Sequence, residues 1–393
     1  MKSKLAKSTA LGLILSFASV AIQLAVAAPL SHAAQDALVH DAVRVAKTML
    51  TSSDVYDRIL AAGALAETGD VEALDVLKRY LANTDLVLKR SAIDTLMSSS
   101  HPSEVDLLYR TASADPEILG LMVESLAATP RPDMQDLLGD ALQLDSLYVQ
   151  KNALQAIARC KVGDFNAILN KMIGDPAVTA TIKAYAYHAL AQNGESVAVG
   201  NRLMAIAESG NVEEREVAAI ALGVLEGEAS KAVLGKLIKE DDDQRVILAA
   251  LASHAGLGDD ESIGRLIHGI AYGKAMESTI LAGSLKRIPA VRAAQITEVL
   301  LSCCNLNTDA ATRLLESWGS ISSNPDKLYA WGLAHEDADV RLQTVWLVGQ
   351  RKDLGALSNI SALLKDEVPA IRTMAAWSII HAAASGYVGG TET

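Results

Sequence analysis

Histidine, cysteine and paired carboxylates are the side chains that most often hold metals or move protons, and their spacing here builds no common site. The chain has eight His and three Cys. His188, His254, His268 and His381 lie in helix-like runs, while His32 and His40 sit near the N-terminus. No His-Glu-x-x-His occurs, and no set of His, Cys and carboxylates has the spacing of a zinc site. Asp241-Asp242-Asp243 offers one turn of acids, too few converging oxygens for calcium, and reads as a capped, solvated turn. The nucleophile elbow Gly-x-Ser-x-Gly and the glycine-rich loops that cradle phosphates are also missing. The residues therefore imply no catalytic group, no cofactor and no metal. Cys160, Cys303 and Cys304 cannot all pair internally, and the expectation for them is small, buried side chains.

What the sequence does contain is a repeat of 30 to 33 residues. Arg58, Lys89, Leu119, Gln150, Lys183, Arg215, Arg245, Ser278, Ala311, Arg341 and Arg372 are equivalent anchors. Three and four residues past each anchor stand paired apolar residues, from Ala61-Ala62 to Ala375-Ala376, with Thr344 the exception. Seven past it comes Leu65, Leu96, Leu126 and their equivalents. Steps of three, four and seven share one face of a helix. Four before the anchor a helix-capping residue recurs: Asp54, Asp85, Asp115, Ser146, Thr179, Asn211, Asp241, Asn307 and Asp337. Gly69-Asp70, Gly163-Asp164, Gly194-Glu195, Gly227-Glu228 and Gly258-Asp259 mark a turn to a second helix. Each unit is a helix, a turn and a helix, best seen in Asp337 to Asp366.

This pattern of cap, basic anchor, paired Ala, Leu and Gly-acid turn resembles the HEAT-repeat family, in particular short bacterial HEAT-like repeats near 31 residues, as in bilin-lyase-type HEAT proteins. Val340-Arg341 and the stretch Asp54 to Gly69 carry it best, while Leu119, Ser278 and Ala311 lack the basic residue. The resemblance implies an all-α fold, a right-handed α-α superhelix (HEAT-like solenoid) of about eleven helix-turn-helix repeats, the last one incomplete. Spacing the helix pairs about 10 Å apart gives an extended array on the order of 100 Å long. By the same analogy its concave side, formed by the second helices, would bind.

Upstream of the repeats, Lys2, Lys4 and Lys7 precede an uncharged apolar run from Ala10 to Ala28 and then small residues, the make-up of a secretory signal. The expected organisation is a signal peptide over 1–34, an N-terminal capping helix over 35–52, the solenoid over 53–389 and a tail over 390–393. Export to the periplasm or medium follows, with no membrane insertion after cleavage. Cleavage could follow Ala27 or Ala33. Net charge is −12, and an acidic chain without a basic stripe is a poor match for nucleic acid.

Aromatic residues provide the candidate contact surface. Trp318, Trp331, Trp346 and Trp377 all lie in the last quarter of the chain. Trp346 and Trp377 both stand five past the anchor, in a column often polar elsewhere, so the expectation is two rings side by side on an outward face. Tyr329 and Trp331, on a second helix, would lie beside the concave surface. These four are the candidate partner-binding residues, because exposed Trp concentrates binding energy. The function expected is an exported, non-catalytic scaffold or adaptor for another envelope protein. A glycan or cell-wall binder using the Trp pair, and a bilin-lyase-like enzyme, are the alternatives.

Overall fold

In a computed structural model, residues 30–99, 101–128, 131–161, 163–321 and 323–387 are described, all of them as helices, turns and short connections. Of the signal segment expected over residues 1–34, residues 1–29 lie outside the described residues, as does the tail over 390–393, while residues 32–34 begin the first helix. The chain runs α1 (His32–Met49), α2 (Val55–Ala66), α3 (Val71–Leu81), α4 (Leu86–Ser98), α5 (Pro102–Ala114), α6 (Pro116–Ala128), α7 (Asp136–Gln143) and α8 (Leu147–Cys160). It continues through α9 (Asn166–Gly174), α10 (Ala180–Gln192), α11 (Ser196–Ser209), α12 (Val212–Leu222), α13 (Glu228–Glu240), α14 (Gln244–Gly256) and α15 (Asp260–Tyr272). The last elements are α16 (Ala275–Ser284), α17 (Ala290–Cys303), α18 (Thr308–Trp318), α19 (Asp326–Leu333), α20 (Ala338–Gln350), α21 (Leu357–Ile360) and α22 (Pro369–Tyr387). The fold is an all-α helical-repeat superhelix.

The anchor, paired-apolar and Leu columns explain these helices. In all eleven copies the three apolar columns are buried, with Tyr187 alone only partly so. Burying each large aliphatic there is worth roughly 1.5–3 kcal/mol. Even the odd member, Thr344, is buried, and its hydroxyl donates to the carbonyl of Val340 at 2.7 Å. The capping column works as expected at Asp54, Asp85, Ser146, Thr179, Asn211, Asn307 and Asp337, whose side chains accept from backbone N–H groups of the first turn. Asp241 is a correction: the cap of α14 is Asp243, and Asp241 instead receives two bonds from Arg215 at 2.8 and 2.9 Å. The basic anchor is structural. Arg58, Arg341 and Arg372 each donate one guanidinium nitrogen to two carbonyls five and six residues upstream, at 2.6–3.1 Å. That bond ties each inner helix to the loop that delivers it.

Even-numbered helices pack shoulder to shoulder in chain order, from α2 with α4 through to α20 with α22. Packing between successive odd-numbered helices is sparse, as expected on the longer outer circumference of a curve. The first helices therefore form the inner layer and the second helices the outer one, which reverses the expected placement of the concave side.

The eleventh inner helix, α22, then packs against the first, α2. The superhelix closes into a ring. This corrects the extended array expected from the repeat spacing. The closure works because α1 lies on α22 and α2, and also meets the 3-10 turn Ser361–Lys365 that precedes α22. The eleventh repeat lacks a second helix of its own, and the N-terminal helix takes that place. Ala42, Ala46 and Met49 are the residues α1 buries. At the same seam His381 of α22 meets Glu67, just after α2, at 2.5 Å, and both side chains are almost wholly buried. Cleavage after Ala33 would remove Ser31, whose hydroxyl caps α1.

Candidate functional site: the inner face and one rim of the ring

Two of the four candidate aromatic residues are buried. Trp377 is 2% exposed, stacked at 4.8 Å on His381 and covered where α22 meets its neighbours. Tyr329 is 1% exposed. Trp346 and Trp331 are half-buried, and Trp331 turns its ring edge-on to His335 at 5.2 Å. The expectation of paired Trp rings on an outward face is thus corrected: the column five past the anchor faces the ring interior, and at the seam it is filled. Trp318 is core, donating from its indole nitrogen to Thr297 at 3.0 Å. The cysteines also depart from expectation. Cys303 and Cys304 are joined as a vicinal disulfide at the end of α17, and Cys303 is exposed; Cys160 is free and half-buried.

Polar pairs show which side chains line the interior. Lys151 of α8 reaches Glu213 of α12 at 2.8 Å, passing over α10, whose Tyr185 hydroxyl donates to the same carboxylate at 3.0 Å. A pair that skips one repeat can form only on the concave side of a tight curve. Arg90 of α4 bonds Glu124 of α6 at 2.6 Å, and the Tyr148 hydroxyl of α8 donates to that same carboxylate. The Lys151 and Arg90 hydrogen bonds hold Glu213 and Glu124 respectively below the usual carboxylate range. Burial pushes the Tyr185 hydroxyl up, with Glu213 adding to it. These are structural ties, and no nucleophile–base pair stands among them.

One rim of the ring, at the first turns of the inner helices, carries an apolar arc. Tyr56, Leu86, Val87, Leu147 and Tyr148 are each between 50 and 57% exposed. Tyr56, Val87 and Tyr148 occupy one register, two residues before the anchor, in the first, second and fourth repeats. Elsewhere that register holds Glu117, Thr181, Glu213, Asp243, Asp309 and Asp339, with Met276 and Ala370. The signal was present in the sequence, in a column whose usual residue is polar.

With three buried columns recurring through eleven repeats in one ring, the comparison with known families adds the repeat type for one part of the chain: the model of HEAT repeats matches residues 43–127. The match runs from the second half of α1 through α6, so it spans part of the closing helix, the first two repeats and the first helix of the third. No curated relative matches the chain. Among solved structures, an engineered protein is 16% identical, with 87% of this chain and 99% of that chain covered at a TM-score of 0.27. Human deoxyhypusine hydroxylase in complex with glycerol is 13% identical, covering 75% and 96% at 0.26. Kap121p is 11% identical, covering 91% and 55% at 0.32. Similarity that low carries no weight for function. Among the described residues no group of His, Cys, Asp and Glu is arranged to hold a metal, and no helix is long and apolar enough to cross a membrane.

Proposed function

We propose that this chain is a non-catalytic scaffold that holds a protein partner on the apolar arc of its rim. HEAT repeats are a protein-interaction fold, and the observation that supports this particular surface is the cluster Tyr56, Leu86, Val87, Leu147 and Tyr148. Two exposed Tyr among exposed aliphatics are the residue types that anchor interfaces. Closure removes the open concave groove that a HEAT array would otherwise offer, and Trp377 and Tyr329 are buried. A rim contact is then the geometry left for a large partner. Export through the segment before residue 30, and a partner in the cell envelope, belong to the same proposal and rest on the sequence pattern alone.

The test is capture of partners from native cell envelopes with wild type and with a Tyr56→Ser/Val87→Ser/Tyr148→Ser variant. Tyr56 and Val87 are exposed and outside the core, so their substitution should leave Tm nearly unchanged; Tyr148 gives up one hydroxyl bond to Glu124. The reading requires a partner held by wild type and lost by the variant. Capture that survives the triple change but fails in a Trp346→Ala/Trp331→Ala variant would move the surface to the half-buried rings.

A further inference from the structure

Stability does not account for the vicinal disulfide. Cys303 is the last residue of α17, and Cys304 is the extended residue after it, at φ −129° and ψ 141°. Their bond lies on the rim where the inner helices begin, since the chain from Cys304 to Asn307 leads straight into α18. A disulfide stabilises a fold mainly by closing a loop of the unfolded chain. One between neighbours in sequence closes none. What it retains is chemistry, and exposed disulfides are the ones that thiols open.

The two sulfurs are not equivalent. Cys303 is exposed, while Cys304 is half-buried and packs against the core. The hydroxyl of Tyr272, the last residue of α15, donates to the Cys304 sulfur at 3.8 Å. The Tyr272 ring rests in turn against His268, one helical turn earlier, with ring centres 5.3 Å apart. A thiolate arriving from solvent therefore meets the Cys303 sulfur, and the electron pair of the broken bond goes to the sulfur that already has a donor. That donor matters because the last carbonyls of α17 face this end of the helix and disfavour a negative charge.

We infer that Cys303–Cys304 is a thiol–disulfide exchange site, with Cys303 the sulfur attacked and Cys304 the leaving thiolate. The thiolate of a small thiol or of a protein cysteine bonds to Cys303 as the Cys303–Cys304 bond breaks. The incoming sulfur is oxidised and the pair is reduced, so no other oxidant enters. Cys304 then takes a proton from water, or attacks Cys303 and expels the thiol again. A second thiol attacking the mixed disulfide leaves both cysteines as thiols and releases the oxidised dimer of the thiol. The site is a covalent hold on one thiol at a time. It uses none of the residues of the apolar arc, so the two readings stand or fall separately. Cys160 is free and half-buried, and burial pushes its thiol up, which makes it an internal reference.

The test uses the full chain purified without reductant. Maleimide labelling after denaturation should find one thiol, that of Cys160, and three after reduction. Brief treatment with reduced glutathione, or with a peptide carrying a single cysteine, is then quenched with maleimide and read by tandem mass spectrometry. The expected product carries the probe on Cys303 and maleimide on Cys304. Adducts from both probes assign the site to thiols in general, from glutathione alone to small thiols, and from the peptide alone to protein cysteines. Tyr272→Phe should slow opening about threefold, the loss of one weak hydrogen bond to the leaving sulfur, while melting as wild type does, since Tyr272 is exposed. Cys303→Ser/Cys304→Ser should melt within about 2 °C of wild type and form no adduct at these positions. Three thiols in the unreduced chain, no adduct from either probe, an adduct on Cys304, opening that Tyr272→Phe leaves unchanged, or a clear drop in Tm for the double serine variant would each overturn the assignment.

Discussion

Replacing His381 by Ala cuts the bond that joins the last inner helix to the first. The imidazole nitrogen lies 2.5 Å from the Glu67 carboxylate, and the two side chains are 2% and 3% exposed. The same ring stacks on Trp377. Breaking a buried pair of this kind costs about 3–5 kcal/mol, most of it from the carboxylate left without its partner. The stacked face adds about 0.5–1.5 kcal/mol. The expected loss is therefore roughly 3.5–6.5 kcal/mol in urea unfolding, against less than about 0.5 kcal/mol for His268→Ala, an exposed histidine. Hydrogen exchange should lose protection first in α1 and α22 and keep it in α10 and α12. Small-angle scattering gives the shape independently. A compact chain of this length has a radius of gyration of about 21 Å, whereas an open array of eleven pairs would exceed about 30 Å. A loss below about 1 kcal/mol, exchange that quickens equally everywhere, or a wild-type radius of the open kind would refute the closed-ring argument.

Three further outcomes follow from single residues. Glu104 is fully buried, neither carboxylate oxygen makes a hydrogen bond by geometry although the Ser99 hydroxyl is near, and burial followed by the Glu67 charge pushes it up to about 9. The folded chain then holds a proton that the unfolded chain releases above about pH 4.5, so wild type should lose about 4 kcal/mol between pH 5 and 8. Glu104→Gln should match wild type at pH 5 and exceed it at pH 8, and parallel pH profiles would dismiss the idea. Gly349→Ala would place a methyl 2.6 Å from the Trp377 ring and 2.8 Å from the Ser378 backbone, which should cost about 1–3 kcal/mol by thermal melting. Arg341→Ala removes two bonds to the His335 and Glu336 carbonyls and should cost about 1–3 kcal/mol, with binding at the rim unaltered.

How much of this was legible in the sequence depends on whether the information is local. Periodicity places Ala61, Leu65 and their equivalents in the core because a helix face is a short-range property, and the burial of all but Tyr187 follows. The caps are equally local, and the one slip, Asp241 for Asp243, is a shift of two residues inside a run of three acids. Closure is of another kind. Nothing near His381 or Glu67 signals a partner 314 residues away. The incomplete last repeat and the N-terminal capping helix are both legible, yet their complementarity becomes readable only once the curve is known. For the same reason the Trp column changes meaning: five past the anchor is outward on a straight stack and inward on a tight ring.

The seam also bears on the order in which the molecule can come together. A HEAT array open at both ends can start from any adjacent pair of units and grow outward, fraying where it stops. Here α1 is made first but its main resting place, α22, is made last, so the closing step waits for the whole chain. Until then the apolar flank of α1 is uncovered and available to a chaperone or to another copy in the same state. Afterwards every inner helix has a neighbour on both sides. A chain cut at Gly194-Glu195 and rejoined through its natural ends would turn that final step into an ordinary hairpin, and should assemble faster while ending in the same ring.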